Sequence, residues 1–425
     1  MAYALARTFE SLRVRNYRMF FAGQVVSWTG TWVQWVAQGW LVLQLTHSGL
    51  ALGIVAALQW LPVLVFGAWA GVVADRFDKR HVLIFTNSAS ALLALGLGLA
   101  TLAGAASIGL IVAIALLLGL VMAIDNPTRQ TFTMEMVGRE RLTNAVSLNT
   151  ATFTTARVLG PAVAGVLIAT VGIGVCFVIN AASFVPVTIA LLMMNKDELR
   201  STGIVERAKG QVRAGLHYVA STPILRTLMV MMAVIGTLQY NFQVILPVLA
   251  KDTFNGDART LGLIGAVLGI GMFSGSMFNA TFGKQSRATL LGAGSALGVF
   301  SILVALSPPL WLAALLMVPL GMSSMAFLAS MNTTLQLNSS DEMRGRVMAL
   351  YFVLFLGSTP IGAPIIGWVA EALNPRAALA LGGIATIAAC VYGYMRLPHL
   401  TAPASWAERV EDPAEARVQE AALAE

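Results

Sequence analysis

The sequence predicts an all-α integral membrane protein with twelve transmembrane helices arranged as two six-helix halves. Of the 425 residues, 57% are hydrophobic and 11% are charged, whereas soluble domains carry about 25% charged residues. Apolar stretches of roughly 20 residues, the length that crosses a bilayer, recur along the chain between short polar breaks. The longest internal polar segment, residues 195–222, leaves six such stretches on each side.

Each predicted span is a mostly apolar stretch bounded by polar or glycine-containing loops. The spans cover residues 17–44, 49–74, 82–104, 107–136, 145–170, 173–194, 224–249, 260–282, 288–306, 309–336, 347–371 and 377–396. The chain is thereby divided into an N-terminal half (1–194), a linker (195–222), a C-terminal half (223–396) and a tail (397–425).

The linker has apolar residues at helical spacing with basic residues between them. The apolar positions are Val205, Ala208, Val212, Leu216 and Val219. This pattern predicts a helix that lies on the cytoplasmic leaflet, and a solvated linker is the alternative. The tail is rich in Ala, Glu and Arg without apolar periodicity, so we expect it to be mobile.

The basic residues are distributed very unevenly between the two sides of the predicted bundle. If the N-terminus is cytoplasmic, 22 of the 27 Lys and Arg residues fall on the cytoplasmic side and three on the outside. Because cationic loops resist translocation, this split predicts cytoplasmic termini and an even number of spans. The remaining two, Arg129 and Arg157, lie inside predicted spans.

The two halves share a weak internal repeat. An offset of 202 residues places Gly160 on Gly362 and Gly165 on Gly367, which aligns the fifth span with the eleventh. Related halves with a substrate site between them near the midplane are typical of secondary transporters.

Charged residues inside the membrane are the first candidates for a functional site, because each costs about 2.5 to 3.5 kcal/mol to insert. Asp125 and Arg129 are four residues apart on one helical face and can pair, and Arg157 can join them from the next span. The 202-residue offset aligns Asp125, Arg129 and Arg157 with Phe327, Met331 and Thr359. The charged cluster therefore occurs in the first half and not in the second. We interpret Asp125 as a proton carrier coupled to the two arginines. The alternative is a permanently ionised pair with Arg129.

Polar and aromatic side chains inside three spans predict a substrate cavity. Amides and rings of this kind suit a bulky amphipathic ligand, although helix packing explains any single one equally well. The predicted lining residues are Gln24, Trp28, Gln34, Trp35, Gln38, Gln239, Tyr240, Gln243 and Phe327.

The loop after the second span carries a motif of small, acidic and basic residues. It consists of Gly71, Asp75, Arg76, Lys79 and Arg80. This motif resembles the signature of the major facilitator superfamily, with Asp78 in place of the usual glycine. The resemblance covers essentially the whole chain, and it implies the major facilitator fold, with the first, fourth, seventh and tenth spans as cavity walls.

The fifth span contains a second run, Gly160, Pro161 and Gly165 after Arg157, with Ala164 where a further glycine is expected. It resembles the antiporter-associated motif of exporters in that superfamily. The stretches 16–24, 144–165 and 342–350 resemble the branch that contains the enterobactin exporter and related multidrug pumps. A mid-helix glycine and proline predict either a hinge or a close packing face.

The resemblance also implies a cytoplasmic latch that closes one conformation. Asp75 at the end of a span can face the positive N-terminus of another helix, and the family makes that partner the eleventh span. Arg76, Arg80 and Glu135 would complete the latch. The alternative is that the basic residues only follow the positive-inside rule.

These observations predict a proton-coupled secondary exporter of small amphipathic compounds, of drug or siderophore type, in a bacterial inner membrane. An importer, a lipid flippase and a non-transporting receptor are the alternatives. No metal-ligand spacing or phosphate-binding loop supports an enzyme, so we expect no cofactor and no metal. The expected partners are a small-molecule substrate, protons and membrane lipid, without nucleic acid, and we expect a monomer.

Overall fold

The structure is a computed structural model that describes residues 9–199, 211–282 and 286–397. Within these ranges the chain is helical and contains no β-strand. Five helices make up the first half. They are α1 (Arg15–Thr46), α2 (Gly49–Arg76), α3 (Lys79–Leu102), α4 (Ile108–Val171) and α5 (Ile173–Leu192).

Helix α4 contains both the fourth and the fifth predicted spans. Its 64 residues would extend about 96 Å at the rise of an α-helix, about three times the thickness of the hydrocarbon core. Gly138 interrupts it with a φ of 73°, a left-handed conformation that glycine adopts without steric cost. The first part (108–137) and the second part (139–171) are therefore separate elements.

The second half begins after a short amphipathic helix, α6 (Gln211–Ser221), which is the described portion of the predicted surface helix. The remaining helices are α7 (Pro223–Leu238), α8 (Phe242–Val248), α9 (Ala258–Phe282), α10 (Arg287–Leu306), α11 (Leu310–Leu337), α12 (Asp341–Leu356), α13 (Thr359–Ala372) and α14 (Pro375–Arg396). The seventh and eleventh predicted spans are thus each divided into two helices. The predicted tail lies outside the described residues, apart from Leu397.

Ten helical segments within the described ranges are long and apolar enough to cross a membrane, which makes this a multi-pass membrane protein. Helix α1 is not among them, since its mean hydropathy is lowered by polar residues such as Gln24 and Gln34. The predicted total of twelve requires α1 and both parts of α4 to cross, and this total stays a prediction.

Each half packs mainly within itself, and the halves meet along two helix pairs. In the first half α3 and α1 pack on α5, and in the second half α9 packs on α11 and α10 on α14. Between the halves, α2 packs on α13 and the second part of α4 on α9. The repeat that aligns the fifth span with the eleventh relates these two interfaces to each other.

Candidate functional site

Asp125 and Arg129 form the predicted ion pair within the first part of α4. Asp125 Oδ2 lies 2.6 Å from Arg129 Nη2 and 2.7 Å from its Nε. The other carboxylate oxygen accepts a hydrogen bond of 2.6 Å from the Thr86 hydroxyl on α3. The Arg129 guanidinium also lies over the Phe20 ring, 5.7 Å from its centroid. Both charged side chains are only 14% exposed, and the partners of the carboxylate lie on α3 and α4.

Arg157 does not join this pair. Asp125 lies 13 residues before the break at Gly138 and Arg157 lies 19 residues after it, so the two side chains are on different parts of α4. The Arg157 guanidinium instead lies over the Trp32 ring, 5.9 Å from the centroid, and lines a separate cavity. Among the described residues, no ion pair connects Arg157 to an acidic side chain.

The cavity has a volume of about 180 Å³ and lies between the two halves. The first half contributes residues from α1, α2 and the second part of α4. The second half contributes residues from the break between α7 and α8 and from α8, α9, α12 and α13. The first part of α4 and α11, which carry the fourth and tenth predicted spans, supply none of its lining. Arg157 is the one charged side chain among the described residues that line it.

The two walls of the cavity are related by the internal repeat. Phe153, Arg157 and Pro161 line it at four-residue intervals along α4. The 202-residue offset places these three on Phe355, Thr359 and Ala363, which also line it. The fifth and eleventh spans therefore present equivalent faces to the cavity. The Arg157 guanidinium on the first face corresponds to the Thr359 hydroxyl on the second.

Aromatic rings form a network on each wall. On the first half, Trp32 contacts Trp35 with 4.8 Å between ring centroids, and Trp35 contacts Trp60 at 5.8 Å. On the second half, Tyr240 contacts Phe355 at 5.4 Å. All of these contacts are edge-to-face, the geometry that aromatic pairs prefer, so each wall is a preformed aromatic surface.

Of the predicted lining residues, Trp35, Tyr240 and Gln243 line the cavity. Trp28 contacts Phe153 at a centroid distance of 5.6 Å but is not part of the lining. The other five are buried in helix packing. Gln34 accepts a hydrogen bond from Asn180, Gln239 donates one to Ser301, Phe327 packs beside Gly294, and Gln24 and Gln38 are buried in α1.

Sequence reasoning missed five aromatic residues that line the cavity, namely Trp32, Trp60, Phe153, Phe242 and Phe355. The internal repeat could have found two of them, because the 202-residue offset pairs Phe153 with Phe355. For Trp32, Trp60 and Phe242 the sequence offers only a large ring inside a span.

Arg80, which belongs to the predicted latch, contacts the C-terminal end of α5. Its Nε donates to the Leu191 carbonyl at 2.6 Å and its Nη2 donates to that of Leu192 at 2.7 Å. Arg80 is buried and so caps the C-terminal end of α5, where a positive charge is favourable. The predicted partner Glu135 pairs with Lys79, with 2.7 Å between Nζ and Oε1.

The structure describes fewer contacts for the other residues of the predicted latch. Arg76 is exposed at the end of α2. Gly71 and Asp75 lie in α2, but their side chains are outside the described part of the structure. Asp78, in the position where a glycine is usual, caps the N-terminus of α3. It accepts hydrogen bonds from the backbone N–H groups of Arg80 and His81.

The glycine and proline motif of the fifth span lies at close helix contacts. A Cβ placed on Gly160 would lie 2.4 Å from Trp32 Cβ, and one placed on Gly165 would lie 2.5 Å from the Cα of Gly262. Pro161 contacts Gly265 on α9. The packing face is therefore present, and a hinge stays a prediction.

Polar contacts connect the two halves at the end of the bundle where α1 finishes. Lys251 Nζ donates to the Leu43 carbonyl at 2.8 Å and lies 3.0 Å from His47 Nδ1. Glu371 at the end of α13 accepts hydrogen bonds from the Ser48 hydroxyl and from the Leu50 backbone N–H. Both contacts hold the turn between α1 and α2 against the second half.

Curated relatives align with most of the chain. It is 24% identical to the staphyloferrin A transporter of Staphylococcus aureus (87% of this chain, 93% of the relative). It is 29% identical to the multidrug efflux pump Tap of Mycolicibacterium fortuitum (82% and 87%). It is 23% identical to the enterobactin exporter EntS of Shigella flexneri (86% and 88%).

Solved transporters share the fold. An inward-facing bacterial homologue of the human lysosomal transporter Spinster superposes with a TM-score of 0.69 at 15% identity, over 89% of this chain and 94% of that chain. An inward-facing bacterial homologue of the iron transporter ferroportin gives 0.69 at 14% identity, over 90% and 98%. Residues 6–421 match the family described as transmembrane secretion effector. The chain belongs to this transporter family of the major facilitator superfamily.

Proposed function

We propose that the protein is a proton-coupled exporter of small amphipathic compounds that works by alternating access. The observation that carries this proposal is the aromatic cavity, which takes its lining from both halves. A site between two halves can be exposed to either side as the halves rock against each other. Two of the relatives are named as an efflux pump and an exporter, which supports the outward direction.

We assign proton coupling to Asp125 with Arg129. Burial disfavours a charged carboxylate, whereas the guanidinium and the Thr86 hydroxyl favour it. A movement of α3 relative to α4 would separate the Thr86 hydroxyl from Asp125 and change this balance. The carboxylate would then take up a proton in one conformation and release it in the other, as an antiporter requires.

We place the protein in a bacterial cytoplasmic membrane with both termini in the cytoplasm, because 22 of the basic residues then lie on that side. In this orientation the contacts of Lys251 and Glu371 close the outer end. Asp75, with Arg76, would latch the cytoplasmic end against the N-terminus of α12 or α13 in the opposite conformation.

The proposal is tested with reconstituted protein in vesicles and a panel of fluorescent amphipathic dyes of each charge type. Wild-type protein should accumulate at least one dye against its gradient when a pH gradient is imposed. Asp125→Asn should lose this accumulation but keep equilibrium exchange of the same dye, because exchange needs no net proton movement. Full gradient-driven accumulation by Asp125→Asn would rule Asp125 out as the proton carrier, and accumulation without any pH gradient would rule out proton coupling.

A further inference from the structure

Arg157 places a positive charge in the wall of the cavity without a protein anion beside it. No Asp or Glu occurs among the described residues that line the cavity, and no acidic side chain in the described ranges pairs with Arg157. Its guanidinium lies over the face of the Trp32 ring. A membrane-buried cation is costly unless an anion or water compensates for its charge.

From this arrangement we infer that the transported compound is an organic anion with an aromatic body, and that Arg157 binds its anionic group. The inference rests on the proposed transport function and specifies its substrate class. A planar guanidinium can donate two parallel hydrogen bonds to a carboxylate or a similar anion. The rings of Trp35, Trp60 and Phe355 would hold the aromatic part.

The repeat indicates how such a compound is oriented. Phe153 and Phe355 occupy equivalent places on the two walls, as do Arg157 and Thr359. The two walls thus share a ring at one equivalent position and differ in charge at another. An anion therefore has a preferred side, with its charge toward Arg157 on the first half and its aromatic body between the rings of the two walls. A cationic compound meets no countercharge on the described surface of the cavity and is repelled by Arg157.

Binding of three matched probes to the purified full-length protein in detergent tests the inference. The probes are 2-naphthoate, neutral 2-naphthamide and the 2-naphthylmethylammonium cation, measured by isothermal titration calorimetry. Wild-type protein should bind the anion at least tenfold more tightly than the amide and bind the cation most weakly. Arg157→Gln should remove the preference for the anion and leave the affinity for the amide within about twofold.

Two further variants distinguish the loss of the anion-binding site from the loss of the folded structure. Arg157→Lys keeps the charge without the planar fork and should retain part of the preference for the anion. Arg259→Gln removes a positive charge from an exposed position at the start of α9 and should bind all three probes like wild type. Wild-type protein that binds 2-naphthoate no more tightly than 2-naphthamide would overturn the inference, and so would an unchanged preference in Arg157→Gln. Because no proton gradient is present, failure of proton coupling would leave this result standing.

Discussion

Gly165 in α4 and Gly262 in α9 meet so closely that a Cβ built on Gly165 would lie 2.5 Å from the Cα of Gly262. Small residues allow this backbone approach in a membrane, where close packing drives helix association. The contact belongs to one of the two helix pairs that join the halves, at the same end of the bundle as the contacts of Lys251 and Glu371.

We expect Gly165→Val to force α4 and α9 apart. Overpacking of a close contact costs about 1 to 3 kcal/mol, so the Tm of the purified protein should fall. Gly96→Val is the matched control, because Gly96 is also helical and a Cβ there would meet nothing within 4 Å. A Tm for Gly165→Val equal to that of Gly96→Val would contradict the tight interface.

The double substitution Lys251→Met with Glu371→Gln should loosen the end of the bundle where α1 finishes. It removes the donor to the Leu43 carbonyl and the charged acceptor for Ser48 and the Leu50 N–H. A cysteine at position 243, in the cavity wall, should then react several-fold faster with an impermeant maleimide added outside intact cells.

The labelling experiment uses a background in which Cys176 and Cys390 are replaced. Arg259→Met, which removes an exposed charge near the same end, should leave the labelling rate unchanged. A double variant that is labelled as slowly as its parent would mean that these polar contacts do not hold the outer end closed.

Helix positions in this chain follow from local pattern, whereas the partners of individual side chains do not. Apolar periodicity is a property of each segment alone, so it located most of the observed helices to within a few residues. The polar face of α1 was also evident, but a helical face does not specify which neighbour covers it. Gln34 therefore turned out to contact Asn180 rather than the cavity.

The sequence pattern also does not contain the contacts between consecutive spans. It predicts that Arg157 joins Asp125, because the two lie on consecutive spans. In the structure the helix is broken at Gly138 between those spans, and Arg157 lies over the ring of Trp32 instead. The internal repeat does carry information about the site, because it relates three lining residues of the fifth span to three of the eleventh.

Arg80→Gln should lower the stability of the protein rather than affect only a latch. The buried guanidinium donates to the carbonyls of Leu191 and Leu192, and the loss of charge-assisted hydrogen bonds at a helix end costs about 2 kcal/mol. Thermal unfolding should show a lower Tm, whereas Arg18→Gln, an exposed change on α1, should not. A wild-type Tm combined with lost transport would instead support the latch role of Arg80.

Asp78 gives the start of α3 a stability that depends on pH. Burial pushes the pKa of its carboxyl upward. The His81 N–H, the nearby His81 ring and the Arg80 N–H outweigh this effect, so the pKa lies below its ordinary value. Because the folded-state pKa is lowered, the contribution to stability is complete above the unfolded pKa of about 4 and is lost as the pH falls through the folded value.

We therefore expect Asp78→Ala to cost about 1 kcal/mol near neutral pH, and the difference from wild type should shrink as the pH is lowered toward 3. Asp78→Asn keeps an acceptor for the N–H groups of Arg80 and His81 but cannot titrate, so it should stay close to wild type at pH 7 and become relatively more stable in acid. Asp78→Gly, which restores the residue usual for the superfamily, should cost only a few tenths of a kcal/mol because glycine is also tolerated as an N-cap. Thermal unfolding of the four proteins between pH 7 and pH 3 measures all of these differences. A difference between Asp78→Ala and wild type that stays constant over that range would show that the carboxylate charge contributes nothing to the cap.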